Sequence, residues 1–136
     1  MGDLFVLTHL FQCGDGTGLA GADFDQRHPA RRYATALSFA AAATTTLAVH
    51  THVYVLAYRN PFLAAKALGG LDRLSGGRLI VGVAAGYLRP EFASLGVEFD
   101  RRNELLDRDL ALLPEIWSGA VVELDDHDLR SRGTVM

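Results

Sequence analysis

The sequence predicts an α/β fold with parallel strands. Three segments dense in β-branched and aromatic residues are typical of strands, near residues 3–10, 46–57 and 78–85, and segments with helical spacing lie between and after them. The third strand is a continuous apolar run, as in parallel sheets that are covered on both faces. Strands that alternate with helices favour parallel pairing, so function is expected at the carboxyl ends of the strands.

The second helix has well-marked ends in the sequence. Asn60 can cap free backbone amides, and Pro61 suits the first helical position because its missing N–H would be unpaired there. Gly76 and Gly77 are predicted to end the helix, since glycine adopts the left-handed conformation of a C-cap at the lowest cost.

The other helices are predicted from composition and periodicity. An alanine-rich helix is expected within residues 30–44, a short helical turn at 90–95 and a longer helix at 100–117, with Asp100 as its N-cap. Beyond Gly119 the sequence predicts at most one short strand and a charged, solvated tail that carries three aspartates.

Composition narrows the classes of partner. The 136 residues suffice for one hydrophobic core, and 13 basic against 16 acidic residues give a net charge of −3, so we expect a small-molecule substrate and no nucleic acid. Cys13 is the single cysteine, which points to a reducing compartment and predicts a cytoplasmic location.

The uncharged stretch Ala34–Tyr58 is long enough to span a bilayer, but its threonines, His50 and His52 disfavour a membrane helix.

The stretch "GDGTGLAG", Gly14–Gly21, contains the G-x-G-x-x-G pattern of a dinucleotide-binding turn. That turn requires a helix directly after the glycines and an acidic residue about twenty positions further on. Here a polar stretch without helical periodicity follows, and no acid lies between Ala34 and Tyr58. We therefore interpret the glycines as a loop.

His50-Thr51-His52 places two imidazoles two residues apart on one strand, which is the geometry of an H-x-H metal pair. A metal-dependent barrel hydrolase is thus one alternative, although it needs further ligands. The remaining histidines are His9, His28 and His127. Polar residues that line a barrel mouth, with no metal, are the favoured interpretation.

His9 ends the first predicted strand and could act as a general acid or base, because its unperturbed pKa lies near neutrality. A purely structural role, in which the His9 imidazole only makes hydrogen bonds within the fold, explains this histidine equally well.

Residues 58–97, "YRNPFLAAKALGGLDRLSGGRLIVGVAAGYLRPEFASLGV", resemble the luciferase-like monooxygenase family, particularly its deazaflavin (coenzyme F420) dependent branch. The signature comprises "RNP" at a helix start, "LDRLSGGRL" at its end and "GVAAGYLRPEF" after the next strand. The resemblance implies a partial TIM (β/α)8 barrel of about three βα units, with residues 1–136 as a single incomplete barrel domain. It also implies an oxidoreductase that transfers hydride to or from a small organic substrate, with coenzyme F420, or alternatively FMN, as cofactor.

The resemblance further implies roles for individual residues. His9 matches a catalytic histidine that faces the cofactor ring, and the bond between His52 and Val53 matches a non-proline cis peptide. The implied cofactor-binding residues are Thr51, His52, Val53, Ala84, Ala85 and Gly86.

A second hypothesis starts from the same ancestry. An incomplete barrel leaves exposed strand edges, so the chain could instead be a noncatalytic half-barrel fragment or an assembly module that forms a homo-oligomer through those edges.

Overall fold

The computed structural model describes residues 33–126 and 128–134. Its helices and strands alternate, which confirms the predicted α/β class. The first predicted strand, the glycine loop, His9 and Cys13 lie outside the described residues. In chain order the elements are α1 (Tyr33–Ala43), β1 (Val49–His50), β2 (Tyr54–Val55), α2 (Pro61–Ser75), β3 (Leu79–Ile80), β4 (Val83–Ala84), α3 (Arg89–Leu95), α4 (Arg102–Trp117), β5 (Val122–Asp125) and β6 (Arg130–Thr134), with 3-10 turns at Leu56–Tyr58 and Phe99–Arg101.

These residues group into two compact units. The first comprises the described residues up to Tyr54 together with Leu71–Gly82, and the second comprises Val55–Gly70 together with the described residues from Val83 onward. Each unit has its own cluster of buried apolar side chains. The single incomplete barrel domain stays a prediction.

In the first unit, β1 and β3 pair in parallel, with Val49 opposite Leu79. Helix α1 covers this pair, because Leu37 and Ala41 pack with Val49 and Leu71 in one buried cluster. The predicted parallel pairing of successive strands is therefore confirmed here.

The predicted strand at 46–57 is wrong in its continuity. It forms two segments, β1 and β2, separated by residues 51–53. The Gly82 N–H donates to the Thr51 hydroxyl at 2.9 Å. In a regular sheet this N–H would instead donate to a backbone carbonyl of the neighbouring strand. The third predicted strand divides in the same way, into β3 and β4.

Arg78 connects three segments of the first unit. Its Nε donates to the Ser75 carbonyl at 2.5 Å, and its two terminal nitrogens donate to the Leu47 carbonyl at 2.6 Å and the Ala41 carbonyl at 2.9 Å. Carbonyls at helix ends lack intrahelical donors. The guanidinium supplies those donors near the ends of both α1 and α2.

The ends of α2 follow the sequence prediction. The Asn60 side chain accepts the Phe62 N–H at 2.9 Å, which caps the first turn. Gly76 and Gly77 have φ of 71° and 78°, and the Gly77 N–H closes the last turn on the Asp72 carbonyl.

The uncharged stretch Ala34–Tyr58 contains all but the first residue of α1, two strand segments and a 3-10 turn. In the part of the chain that the structure describes, every helix is too short or too polar to cross a membrane.

The second unit is built around Phe92, which is fully buried and packs with Ala57 and Leu105. The predicted N-cap of the long helix is wrong. Arg101 occupies that position without a side-chain cap, because Asp100 lies within a preceding 3-10 turn and instead pairs with Arg89 at 2.8 Å.

The predicted charged tail is also wrong. β5 and β6 form an antiparallel hairpin with a bulge between Val122 and Leu124. The carboxylate of Asp126 binds the guanidinium of Arg108 in α4, and that of Asp128 binds the guanidinium of Arg101 at the N-cap of α4, which the local sequence around the aspartates does not reveal.

Two neighbouring glycines of α2 give a matched test of how α4 packs in this unit. The Trp117 indole donates to the Ala65 carbonyl at 3.0 Å, and a Cβ at Gly69 would lie 3.2 Å from the indole nitrogen, whereas a Cβ at Gly70 would meet nothing within 4 Å. We expect Gly70→Ala to raise the free energy of unfolding by about 0.5–1 kcal/mol, the helix-propensity gain. In Gly69→Ala the added methyl would crowd the Trp117 indole, and the cost of this contact should cancel the helix-propensity gain. Urea unfolding measures both, and equal stabilisation would contradict the packing.

Candidate functional site

Thr51 lies directly after β1 and is buried. Its hydroxyl donates to the Gly82 carbonyl at 2.9 Å and accepts the Gly82 N–H at 2.9 Å, while its own N–H donates to the Ile80 carbonyl at 3.1 Å. One threonine side chain thus satisfies both backbone groups of a glycine on the neighbouring strand. This arrangement fixes the end of β1 at the position where the resemblance implies a cofactor.

The peptide bond between His52 and Val53 is cis. This confirms the bond that the resemblance implied. Both residues are exposed, and the chain returns to the sheet at Tyr54, whose N–H donates to the Gly82 carbonyl at 2.8 Å. The strand end therefore presents residues 52 and 53 at the surface of the first unit.

His50 and His52 lie close together, with ring centroids 5.5 Å apart and an edge-on arrangement. A Cβ at Gly82 would lie 2.7 Å from His50 Nε2, so this imidazole rests against the glycine backbone. Within residues 33–126 and 128–134, no three His, Cys, Asp or Glu side chains are grouped so that they could hold a metal ion. The further ligands considered from sequence, His9, His28 and His127, lie outside the described residues.

Ala84, Ala85 and Gly86 belong to the second unit, at the carboxyl end of β4. All three are half-buried. Gly86 has φ of 84°, and a Cβ there would lie 2.9 Å from Phe92 Cε2 and 3.0 Å from Val55 Cγ1. Small residues at a strand end allow close approach of another molecule to the backbone.

Tyr58 and Glu91 form a pair in the second unit that sequence reasoning missed. The Tyr58 hydroxyl donates to Glu91 Oε2 at 2.5 Å. Burial, and then this hydrogen bond, raise the pKa of Tyr58, so the phenol stays protonated. No local sequence pattern links Tyr58 to Glu91, which lies 33 positions later in the chain.

A second missed feature is a cluster of acidic and basic side chains on α4, its N-cap and the hairpin. Arg108 binds Asp109 at 2.9 Å and Asp126 at 2.8 Å, and Arg101 binds Asp128 at 3.1 Å. Burial raises the pKa of Asp109, against the opposing effect of Arg108. Arg101, Arg108, Asp109 and Asp128 line part of a cleft of about 430 Å³.

Comparison with known proteins identifies a family and several proteins to which the chain is similar. The family model described as luciferase-like monooxygenase matches residues 12–132. An uncharacterized protein of Mycobacterium tuberculosis is 33% identical over 82 residues, a segment that covers 60% of this chain and 29% of the relative. The chain thus spans less than a third of that relative.

Two solved structures have the same fold. The oxygenating constituent of 3,6-diketocamphane monooxygenase from Pseudomonas putida, in complex with FMN, matches with a TM-score of 0.67 and 18% identity, over 72% of this chain and 28% of that one. The coenzyme F420 dependent tetrahydromethanopterin reductase of Methanopyrus kandleri matches with a TM-score of 0.63 and 20% identity, over 76% and 33%. With a family model that matches nearly its whole length, the chain belongs to the luciferase-like monooxygenase family.

Proposed function

We propose that the chain forms part of an oxidoreductase that binds coenzyme F420, or alternatively FMN, and transfers hydride to or from a small organic substrate. The observation that carries this proposal is the end of β1, where the exposed residues His52 and Val53 follow a buried threonine that is hydrogen-bonded to Gly82. Family membership supports the reaction class. The FMN complex and the F420-dependent reductase among the similar structures support the cofactor class.

The residues present fit such a ring. His52 and Val53 are exposed, so their backbone is open to a bound molecule, and Thr51 holds that backbone in place from the buried side. A bound flavin or deazaflavin would supply the ring atoms that carry the hydride. In the second unit, we propose Ala84, Ala85 and Gly86 as backbone contacts because their side chains are small.

His9 remains the proposed catalytic residue, with the role of holding or moving a proton beside the ring. A cytoplasmic location and a single incomplete barrel domain of residues 1–136 also remain proposals.

Titration of the purified chain with coenzyme F420 and with FMN tests the function. We expect saturable changes in cofactor absorbance and fluorescence, with a Kd at or below about 50 μM for one of the two. Absence of saturation with both cofactors would end the proposal. The alternative, a noncatalytic assembly module that forms a homo-oligomer, would then be examined by light scattering, which gives the mass in solution.

Thr51→Val should weaken cofactor binding, because valine keeps the shape of threonine but loses both hydrogen bonds to Gly82. The Gly82 N–H would then lack its partner, at about 1–3 kcal/mol, while the Gly82 carbonyl would keep only the bond from the Tyr54 N–H, and residues 52 and 53 would lose their support. Thr51→Ser keeps the hydroxyl and is the matched control. Calorimetric titration compares the two variants, and equal affinities would show that the hydroxyl does not support the site.

A further inference from the structure

The carboxyl end of β4 rests on the ring of Phe92. A Cβ atom at Gly86 would lie 2.9 Å from Phe92 Cε2 and 3.1 Å from Phe92 Cζ, so the ring touches the glycine backbone directly. Phe92 itself is fully buried. Close-packed interiors transmit displacements between neighbours, so the position of this ring constrains the backbone at Gly86.

Tyr58 restrains the same helical turn in two ways. Its ring packs edge-on against Phe92, with centroids 4.8 Å apart, and its hydroxyl donates to Glu91 Oε2 at 2.5 Å. The short distance is typical of a hydroxyl bound to a carboxylate. Glu91 and Phe92 are consecutive residues of α3, so one tyrosine fixes both.

The Glu91 carboxylate depends on this phenol. Its second oxygen, Oε1, is buried and has no hydrogen-bond partner within the described residues. Loss of the phenol would leave both carboxylate oxygens without a donor in that part of the chain, which favours rearrangement of the turn. The pair thus sets the orientation of α3 where it leaves the strand.

We propose that Tyr58 and Glu91 are positioning residues, which act through Phe92 to hold the Ala84–Gly86 backbone in the conformation that receives the cofactor. The inference rests on the proposed function for the identity of the ligand. The pair itself lies in the same unit as the backbone it positions. A pair that only stabilised the fold would leave the affinity and spectrum of the bound cofactor unchanged.

Substitution of each partner tests the role. Tyr58→Phe keeps the ring against Phe92, Glu91→Gln keeps the shape of the side chain, and Glu115→Gln removes an exposed carboxylate of α4 as a control. We expect each of the first two to raise the Kd for coenzyme F420 or FMN about fivefold, and to shift the visible circular dichroism of the bound ring. The double variant should be no weaker than Tyr58→Phe alone, because both substitutions act on one hydrogen bond: Tyr58→Phe removes its donor, and Glu91→Gln replaces its charged acceptor with a weaker, neutral one.

Wild-type affinity and spectrum in both Tyr58→Phe and Glu91→Gln would overturn the proposal, even if their melting temperatures fell. If the wild-type chain bound neither cofactor, the proposed function would be refuted. The positioning role would then be tested on the chain without a ligand. In that case ¹⁵N relaxation should show order parameters at residues 84–86 that fall from about 0.85 to below about 0.6 in the two variants, but not in Glu115→Gln. Unchanged order parameters would overturn the proposal.

Discussion

Arg78→Ala is expected to lower the free energy of unfolding by about 3 kcal/mol. A hydrogen bond from a charged donor contributes about 1.5–3 kcal/mol, and because Arg78 is only half-buried, bonds to water offset part of the three that are lost. The guanidinium bonds three backbone carbonyls, those of Ser75, Leu47 and Ala41. Its removal leaves these carbonyls without that donor near the ends of two helices. Urea unfolding followed by circular dichroism measures the loss.

Two further substitutions make this result specific. Arg73→Ala removes an exposed arginine from the last turn of α2 and should cost under about 0.5 kcal/mol. Arg78→Lys keeps the charge but cannot bond three carbonyls in the plane of a guanidinium, so it should recover only part of the loss. If Arg78→Lys matched the wild-type chain, charge alone would account for the role of Arg78.

Gly86→Ala should have a comparably large effect. A non-glycine residue with φ near 84° is strained by about 1–2 kcal/mol, and the added methyl would meet Phe92 and Val55 at 2.9–3.0 Å. Overpacking adds about 1–3 kcal/mol. We expect a total loss of about 2–5 kcal/mol of stability, together with weaker cofactor binding.

Gly96→Ala separates the two causes. Gly96 also has a positive φ, 69°, but a Cβ there would meet nothing within 4 Å. It should therefore show the backbone strain alone, about 1–2 kcal/mol. Equal losses for Gly86→Ala and Gly96→Ala in chemical denaturation would mean that the contact with Phe92 is easily relieved.

The helices could be predicted from sequence because their signals are local. Helix α2 begins at Pro61 and ends at Ser75, between an asparagine cap and two glycines with positive φ. Each of these signals acts within one turn of the residue that carries it, so neighbouring residues suffice to read them.

Features that depend on distant residues were missed. The aspartates beyond β5 bind guanidinium groups at the N-cap of α4 and within α4, 27 and 18 positions away. The break in the predicted strand at 46–57 comes from a threonine that bonds a glycine 31 positions later. Hydrophobic periodicity contains no information about such side-chain to backbone bonds.

The candidate site was predicted unevenly for the same reason. The cis bond at His52 came from family resemblance, since no local residue pattern specifies it. The pair of Tyr58 and Glu91, 33 positions apart, became visible only when both were placed beside Phe92.

Trp117 is the single tryptophan of the chain, and it is about half exposed while its indole bonds the Ala65 carbonyl of α2. Its intrinsic emission therefore reports on the second unit and not on α1, β1 or β3. Far-ultraviolet dichroism reports on the helices of both units. Coincident unfolding curves from the two signals would mean that both units melt in one cooperative step, and separate curves would give each unit a stability of its own.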